Sequence, residues 1–305
     1  ELEESGIEVV VFDNLSTGHR EAVRSELIVG DIRDREALQK TFAAKPYDAV
    51  MHFAAKALVG ESVQHPLRYY DVNVGGTATL LTAMQNAGIH HFVFSSTCAV
   101  YGEPDYLPLD EDHPKNPVSP YGESKLIVEQ MLDAARAKED FHVASLRYFN
   151  ASGAHPDGSM GESHDPETHL IPLALQARLG LRPELKLFGR DYDTRDGTCI
   201  RDYIHVCDLA IAHRLALLHL WEGNRGRAWN LGTGMGTSVL EVLDAVKTVT
   251  GKAVPYSDAP RRAGDPPGLY AAADKAREDL GWKASRNQIE QIVADAWAWI
   301  QNPRY

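Results

Sequence analysis

The chain has 305 residues, 24% of them charged, and a formal net charge of −12. This acidic balance argues against nucleic acid or an anionic membrane as the main partner, because both repel a negatively charged protein. The three cysteines, Cys98, Cys199 and Cys207, lack metal-ligand spacing and are odd in number, which is typical of a reducing compartment.

No apolar run long enough to span a membrane occurs, and residue 1 does not begin a signal peptide. We therefore expect a cytoplasmic protein. The pair His90-His91 has no Cys or acidic neighbour at ligand spacing, so it predicts the start of a strand, and no metal is expected.

The first residues predict the end of a helix, capped by Gly6, followed by a buried strand over residues 7–12 that ends in Asp13. In dinucleotide-binding folds an acidic residue ends the second strand, about 20 residues after a glycine-rich turn, and binds a ribose hydroxyl. No such turn precedes Asp13. We therefore expect that the first strand, the glycine loop and most of the first helix are absent from this chain.

Strands and helices then alternate. Strands are predicted at residues 27–29, 47–53, around Phe92, 143–148, 185–188 and 228–231, and helices at 35–44, 67–86, from Tyr121, 170–179, 206–221, 239–250 and twice after a loop at 259–268. This order predicts an α/β fold with a doubly wound, Rossmann-like parallel sheet whose first strand is missing, and a smaller C-terminal α/β lobe. We expect a domain boundary near residue 150, giving 1–150 and 151–305, with chain crossings between the two.

The pentapeptide Tyr121-Gly-Glu-Ser-Lys125 starts a predicted helix, because Ser119-Pro120 reads as an N-cap with proline in the first turn. Tyr121 and Lys125 then lie one turn apart on the same face. A tyrosine is a base near neutral pH only if its phenolate is stabilised, and a nearby ammonium lowers its pKa. The pattern predicts a catalytic pair.

Upstream, the apolar run His91-Phe-Val-Phe94 leads into Ser95-Ser-Thr97. In open α/β sheets ligands bind beyond the carboxyl ends of the strands, so these hydroxyls are candidate site residues. A Tyr-x-x-x-Lys pattern alone also occurs on surface helices, and the preceding hydroxyls are what favour catalysis.

Nine short motifs occur in order along the chain, and together they resemble those of a known family. They are Asp13-Asn-Leu-Ser-Thr-Gly18, Gly30-Asp-Ile-Arg33, His52-Phe-Ala-Ala55, Val59-Gly-Glu-Ser62, Asn73-Val-Gly-Gly-Thr77, Ser95-Ser-Thr-Cys-Ala-Val-Tyr-Gly102, Tyr121-Gly-Glu-Ser-Lys125, Arg147-Tyr-Phe-Asn150 and Asp196-Gly-Thr-Cys-Ile-Arg-Asp-Tyr-Ile-His-Val206. Together they closely resemble the UDP-glucose 4-epimerase family, in the extended branch of the short-chain dehydrogenase/reductase superfamily. The glycine-rich loop of that family is the part without a match.

The resemblance implies a tightly held NAD. Its implied contacts are Asp13, Asn14, Leu15, Ser16, Thr17 and Gly18 at the adenosine ribose, Asp31 and Ile32 at the adenine, Phe53, Ala54, Ala55 and Lys56 along the pyrophosphate and nicotinamide ribose, and Asn73, Thr97, Tyr121, Lys125 and Phe149 around the active site. Because the glycine loop would supply backbone N–H groups to the pyrophosphate, we expect this chain alone to bind NAD poorly and to be unstable.

The resemblance also implies the reaction. Tyr121 would take the proton of the sugar 4-hydroxyl, Lys125 would lower the pKa of Tyr121 and hold the nicotinamide ribose, and Thr97 would donate to the 4-oxygen. A 4-keto sugar nucleotide would form, turn its other face and be reduced again. Ser96 is the second candidate for the role of Thr97.

The UDP-sugar would be held by Asn150, His169, Leu170, Phe188, Arg201, Arg262 and Asp265, of which the two arginines suit the diphosphate. Simpler roles remain open for these residues: surface ion pairs for the arginines, a solvated loop for Asp265, a helix end for His169 and core packing for Phe188.

Alternatives remain for the reaction. Nucleotide-sugar dehydratases carry an Asp-Glu pair where this chain has Cys98-Ala99, which disfavours dehydration. A UDP-glucuronate or UDP-N-acetylhexosamine 4-epimerase stays open, since Leu269 is of intermediate size where the family varies its tolerance of N-acetyl groups. An inactive fragment or a non-catalytic NAD-binding relative is the alternative of another class. The resemblance also implies a homodimer, formed by the long helix and the Tyr121 helix.

Overall fold

The computed structural model describes residues 1–138, 140–262 and 264–305. The strands are β1 Val10–Asp13, β2 Glu26–Val29, β3 Ala49–His52, β4 His91–Thr97, β5 His142–Tyr148, β6 Asn150–Ser152, β7 Leu185–Phe188, β8 Ile200–Arg201, β9 Tyr203–His205, β10 Ala228–Leu231, β11 Thr237–Ser238, β12 Tyr256–Ala259 and β13 Gly268–Leu269. The helices are α1 Arg35–Ala44, α2 Val59–Gln64, α3 Pro66–Tyr69, α4 Gly76–Asn86, α5 Pro120–Lys138, α6 Leu170–Leu179, α7 Val206–Trp221, α8 Val239–Thr250, α9 Asp274–Leu280 and α10 Ile289–Gln301.

The central sheet has the strand order β10-β5-β4-β3, and all its pairings are parallel. Strands β1 and β2 form a separate parallel pair. Parallel strands joined by helices are what the strand–helix alternation predicted, and the α/β fold class is confirmed. The expected absence of a first strand stays a prediction.

Both faces of the central sheet are covered, which explains why its strands read as apolar runs. Along β4, Phe92 and Phe94 pack into a core cluster with α4 and α5 residues, whereas Val93 packs into a second cluster that contains α7 and Trp229 of β10. Successive strand residues point to opposite faces, so this two-residue alternation assigns a face to every side chain of β4.

The helix that carries the candidate catalytic pair begins where its sequence predicts. The Gly122 N–H donates to the Ser119 hydroxyl at 3.2 Å, and Pro120 occupies the first helical position. This N-cap fixes the helical register of everything that follows, including Tyr121 and Lys125.

The long helix predicted over residues 67–86 is helical from Pro66 to Asn86 but is not α-helical throughout. Between α3 and α4, residues Tyr70–Gly75 form a π-helical segment. Such wide turns are rare and occur mostly at functional sites. Here the segment contains Asn73, whose contacts are described below.

The C-terminal half contributes to two regions. Helices α6, α8 and α10 enclose one core cluster beside the β7–β12 pair. Helix α7 and strand β10 instead pack with the central sheet. The domain boundary near residue 150 stays a prediction. Within the described ranges, no helix is both long and apolar enough to cross a membrane.

Substitution of Trp229 in β10 measures how much its packing between the C-terminal half and the central sheet contributes to stability. Its side chain is fully buried, and its Nε1 donates to Asp279 at 2.8 Å. We expect Trp229→Ala to lower the free energy of unfolding by about 3–5 kcal/mol in urea denaturation, because it removes apolar contacts and leaves a cavity. Trp221→Ala, at a tryptophan that is 38% exposed, is the matched control and should cost much less. Equal losses in the two variants would contradict this packing.

Candidate active site

The candidate site lies beyond the carboxyl end of β4, where α5 passes close to the strand. Gly122 allows this approach, since a Cβ at that position would lie 2.5 Å from the carbonyl oxygen of Ala99. Any other residue at position 122 would push α5 away from the turn after Thr97. The glycine inside the pentapeptide therefore sets the distance between the Tyr121 helix and the Ser-Ser-Thr strand end.

Lys125 is fixed in the interior. Its side chain is 3% exposed, and its Nζ donates to the Ser95 carbonyl oxygen at 2.8 Å, with the Phe94 ring centroid 4.8 Å away. Burial lowers the pKa of Lys125 to about 8, although the nearby Glu129 carboxylate opposes this shift. An ammonium has three donors, and this contact uses one of them.

Thr97 is the hydroxyl that meets Tyr121. Its Oγ1 accepts the Ala99 N–H at 3.1 Å, and its hydrogen bond with Tyr121 favours the phenolate. Burial nevertheless dominates and raises the pKa of Tyr121 above its usual value. The predicted lowering by Lys125 is not found, because the ammonium is directed to the Ser95 carbonyl and desolvation of the phenol outweighs the favourable hydrogen bond.

Ser96, the second candidate for the role of Thr97, points the other way. Its side chain is buried and donates to Glu129 Oε1 at 2.6 Å. Ser95 and Thr97 share the opposite face of β4, as strand alternation requires. The hydroxyl of Ser96 is thus not available to a substrate at Tyr121, and that part of the prediction is corrected.

Glu129 and Arg147 form a buried ion pair behind the strand, which the sequence reasoning missed. Arg147 donates to Glu129 through Nε at 2.9 Å and through a terminal nitrogen at 2.6 Å, and to the Tyr101 hydroxyl at 2.9 Å. This bidentate contact orients both groups. A signal was present, since Glu129 follows Lys125 by four residues on α5 and Arg147 stands in the Arg147–Asn150 motif.

Asn73 joins three parts of the site. Its Oδ1 accepts the Lys56 N–H at 2.8 Å, and its Nδ2 donates to the Lys56 carbonyl at 3.0 Å and to the Ser124 hydroxyl at 2.9 Å. The residue is 1% exposed, so it does not face solvent. The π-helical turn therefore connects the segment after β3 to α5, one residue from Lys125.

The ends of β1 and β2 bring the predicted adenosine contacts together. Asp13 accepts the Leu15 N–H at 2.6 Å, and Asn14 donates to Asp31 at 3.0 Å. Hydrogen bonds from the Arg33 side chain hold the pKa of Asp31 well below its usual range. Ser16 and Thr17 lie in the intervening loop, Gly18 lies against the Asp13 carboxylate, and Ile32 is buried against Gly76.

The segment of residues 53–56 follows the carboxyl end of β3. Phe53 is 55% exposed and contacts the His213 ring at 4.8 Å. Ala54, Ala55 and Lys56 are half-buried, and the Lys56 main chain is held by Asn73. Phe149 is half-buried and packs on the core cluster that includes Trp229. This row of small and exposed residues can accept a ligand along the strand ends.

Four of the predicted substrate residues are brought together in the C-terminal half. Arg201 forms an ion pair with Asp265, and the Arg262 guanidinium lies 4.0 Å from the Phe188 ring centroid. The Asp265 N–H donates to the Arg262 carbonyl at 3.3 Å, which joins the two pairs. Leu269, the β13 residue that pairs with Arg201, packs on the same apolar cluster as Cys98, which follows Thr97, so this group adjoins the end of β4.

The remaining three substrate residues have different surroundings. Asn150 Nδ2 donates to the Asp202 carbonyl at 2.8 Å, beside Arg201 in the chain. His169 lies against Glu162 and Glu167 in the loop before α6, and Leu170 packs on the core cluster of α6, α8 and α10. The structure thus places His169 in a group of its own, because the two carboxylates hold its ring. That these residues bind ligands stays a prediction.

Lys125 generates a testable pH dependence. Its folded pKa of about 8 lies below its ordinary value of 10.5, so between these pH values the unfolded chain holds a proton that the folded chain has lost. We expect the free energy of unfolding of the wild type to rise relative to that of Lys125→Met across this window, by about 3 kcal/mol.

The measurement is urea denaturation at several pH values from 7.5 to 10.5. Lys186→Met, at a lysine that is 54% exposed, is the matched control and should follow the wild type. Parallel curves for the wild type and Lys125→Met would show that Lys125 is not desolvated.

Comparisons with known proteins identify the family. The sequence profile of the NAD dependent epimerase/dehydratase family matches residues 1–232. A UDP-glucose 4-epimerase of Lacticaseibacillus casei is 49% identical over 300 residues, which cover 98% of this chain and 91% of that protein.

Solved structures are similar over the same extent. The UDP-glucose 4-epimerase of Brucella ovis in complex with NAD is 49% identical with a TM-score of 0.95, over 97% of this chain and 91% of that chain. The enzyme of Bifidobacterium longum in complex with NAD⁺ and UDP is 38% identical with a TM-score of 0.93, over 99% and 93% of the two chains.

Proposed function

The chain belongs to the NAD dependent epimerase/dehydratase family, and we propose that it is an isomerase that interconverts UDP-galactose and UDP-glucose by epimerisation at C4. The observation that carries this proposal is the meeting of Tyr121, Thr97 and Lys125 at one strand end, adjoined by a group with two arginines. The proposal is supported by relatives that carry this name and match nearly the whole chain.

The residues present fit NAD. Lys125 holds a buried ammonium that uses one donor on Ser95, which leaves donors for ribose hydroxyls. Asp13 ends β1 where a ribose hydroxyl would bind, and Asp31 lies beside it through Asn14. When bound, NAD supplies the acceptor and donor of the hydride that leaves and returns to C4.

The chain's own groups move the proton. Thr97 Oγ1 accepts the Ala99 N–H, so the Thr97 O–H can donate to the Tyr121 oxygen or to a sugar oxygen bound beside it. Because burial raises the pKa of Tyr121, the free protein holds it as a phenol at neutral pH. Its proton must leave before Tyr121 can accept the proton of a sugar hydroxyl, and the hydrogen bond from Thr97 favours the phenolate form.

The two arginines select an anionic substrate. Arg262 lies over Phe188 and Arg201 pairs with Asp265, so both forks are oriented before a diphosphate arrives. Leu269 is half-buried and packs with Val100, Tyr101 and Leu109 near this group. The size of the sugar substituent is decided there, and UDP-N-acetylhexosamines and UDP-glucuronate are therefore tested beside UDP-galactose.

Conversion of UDP-galactose to UDP-glucose in the presence of NAD tests the proposal. Because we expect this chain to bind NAD weakly, the assay uses NAD at saturating concentration. We then expect turnover by the wild type and a loss of about 10²–10⁴-fold in Tyr121→Phe, since the variant cannot transfer the proton. Tyr47→Phe is the matched control. Its hydroxyl is buried without a hydrogen bond to any described residue and lies at the opposite end of the sheet, so its removal should leave turnover unchanged.

Turnover that survives in Tyr121→Phe would overturn the assignment of Tyr121. A folded wild type that binds NAD but converts only UDP-glucuronate or a UDP-N-acetylhexosamine would replace the substrate and keep the reaction. A folded wild type without turnover on any of them would favour a non-catalytic relative.

We also propose a homodimer in the cytoplasm. Val59, Val63 and Leu67 are 49%, 63% and 80% exposed on α2 and α3, which pack against α5. An apolar patch beside the Tyr121 helix supports association of two copies through this face. The cytoplasmic location is supported by Cys98, Cys199 and Cys207, all of which are free.

Leu67→Glu tests the dimer. We expect the wild type to show twice the 33.7 kDa mass of the chain in light scattering and the variant to show the chain mass, because a charge would be buried without a partner. Leu181→Glu, at a leucine that is 71% exposed outside this patch, is the control and should remain dimeric. A monomeric wild type, or a dimeric Leu67→Glu variant, would contradict the proposal.

A further inference from the structure

The loop between β6 and α6 gathers four side chains of metal-ligand type. Glu162, His164, Glu167 and His169 each direct one ligand atom inward, and these atoms lie within 4.8 Å of one another. None of the reacting groups described above belongs to this set. From the sequence no metal is expected at His90-His91, and the irregular path of this loop, which brings the four side chains together, has no sequence signature.

Three of the nitrogen–oxygen separations in this cluster are close to those around a tetrahedral ion. With ligand bonds of about 2.0–2.1 Å, such an ion holds its ligand atoms about 3.3 Å apart. His164 Nδ1 lies 3.1 Å from Glu162 Oε1 and 3.7 Å from Glu167 Oε2, and His169 Nδ1 lies 3.4 Å from Glu167 Oε1. In the fourth contact, a short hydrogen bond, His169 Nδ1 and Glu162 Oε1 lie closer than two ligands of one ion, so these two side chains must separate when the ion binds. Both imidazoles present the same nitrogen, so the opposite nitrogens are free to carry the proton.

The two carboxylates need positive charge. Glu162 is 17% and Glu167 is 7% exposed, and in the described part of the chain only the two histidines form ion pairs with them. Two partly buried carboxylates that face the same point repel each other unless a cation lies between them. Either both histidines carry a proton, or an ion takes that place.

Hydrogen bonds also position Glu167 and the main chain at Glu162. Glu167 Oε1 accepts the backbone N–H groups of Thr168 at 2.6 Å and His169 at 2.8 Å. The Glu162 carbonyl accepts the Trp299 Nε1–H at 2.9 Å. Hydrogen bonds of this kind orient ligands before an ion binds. The cluster also borders a cavity of about 190 Å³ lined by Trp299 and Tyr305, which gives the ion a path from solvent.

We propose that Glu162, His164, Glu167 and His169 bind one divalent first-row transition-metal ion, with Zn²⁺ the first candidate. Two imidazoles and two carboxylates suit Zn²⁺ and its neighbours better than Ca²⁺ or Mg²⁺, which prefer oxygen ligands alone. The ion fastens the loop from Gly161 to His169 against the C-terminal helix through Trp299. Its role is structural, and it does not depend on the proposed reaction.

Cobalt gives a direct readout. The purified protein is freed of metal with a chelator, which is then removed, and Co²⁺ is added while absorption between 500 and 650 nm is recorded. We expect one Co²⁺ per chain with intense tetrahedral bands, and displacement of those bands by one equivalent of Zn²⁺. Elemental analysis of the protein as purified should show the same stoichiometry.

His164→Gln should weaken Zn²⁺ binding at least tenfold and remove the intense bands, and His164→Asp should recover part of the affinity with weaker bands, because it restores an oxygen ligand only. Both changes are at an exposed histidine, so the fold should persist, and circular dichroism checks this. The matched control is His155→Gln. His155 lies earlier in the same loop with Nδ1 2.6 Å from the single carboxylate of Asp157, and its replacement should leave the bands unchanged.

Zn²⁺ should also raise the melting temperature of the wild type and of His155→Gln but not of His164→Gln. Only the weak absorption of hydrated Co²⁺ in the wild type, or equal Zn²⁺ affinity in the wild type, His164→Gln and His155→Gln, would overturn the proposal and leave two imidazolium–carboxylate pairs as the account of the cluster.

Discussion

The orientation of α5 is the constraint on which the candidate site depends, because Tyr121 and Lys125 are useful only if this helix presents one face to the end of β4. Two buried polar contacts fix its rotation from different sides. Ser124 accepts a hydrogen bond from Asn73, and Glu129 binds Arg147 of β5. Each contact is satisfied by its partner, and loss of one partner would leave a buried group without compensation.

Gly122 adds the third element of this constraint, since it sets how closely α5 approaches the turn at Ala99. Rotation and distance are thus controlled by different residues, none of which touches the hydroxyls that would react. The buried ion pair also joins the active site to the far half of the chain, because Tyr101 links Arg147 to Asn230 of β10 by a hydrogen bond of 2.6 Å. A strand from the C-terminal half therefore takes part in holding the helix that carries Tyr121 and Lys125.

The longer elements could be predicted from the sequence because burial of one face gives their apolar residues a regular spacing. Helices α1, α6, α7 and α8 have the predicted bounds, and β4 continues through the hydroxyls that mark its end. Strands of two or three residues, such as β8 and β13, could not be predicted, since they are too short to show a pattern and depend on partners distant in sequence. The alternation of β4 does predict that Ser96 and Thr97 face opposite sides of the sheet. The position of Glu129, which accepts the Ser96 hydrogen bond, then shows which of the two hydroxyls faces away from Tyr121.

Two features of the site could not be predicted from the sequence: the raised pKa of Tyr121 and the contacts of His169. Proximity of charges can be inferred from helical spacing, but desolvation depends on how completely the tertiary structure encloses a group, and here it dominates. His169 follows a loop whose path has no period, so its contact with Glu162 and Glu167 arises from the fold of that loop. Charge pairs of this origin are visible only in three dimensions.

The π-helical turn Tyr70–Gly75 has a consequence for variation in chain length. A wide turn accommodates one residue more than an α-helical turn, so a chain shortened by one residue here could close the turn and keep α3 and α4 facing the same neighbours. The backbone would absorb such a deletion, but Asn73 would move out of reach of Lys56 and Ser124. Among related sequences, the presence or absence of this single inserted residue should therefore separate chains that keep the bridge from Asn73 to α5 from chains that share only the fold.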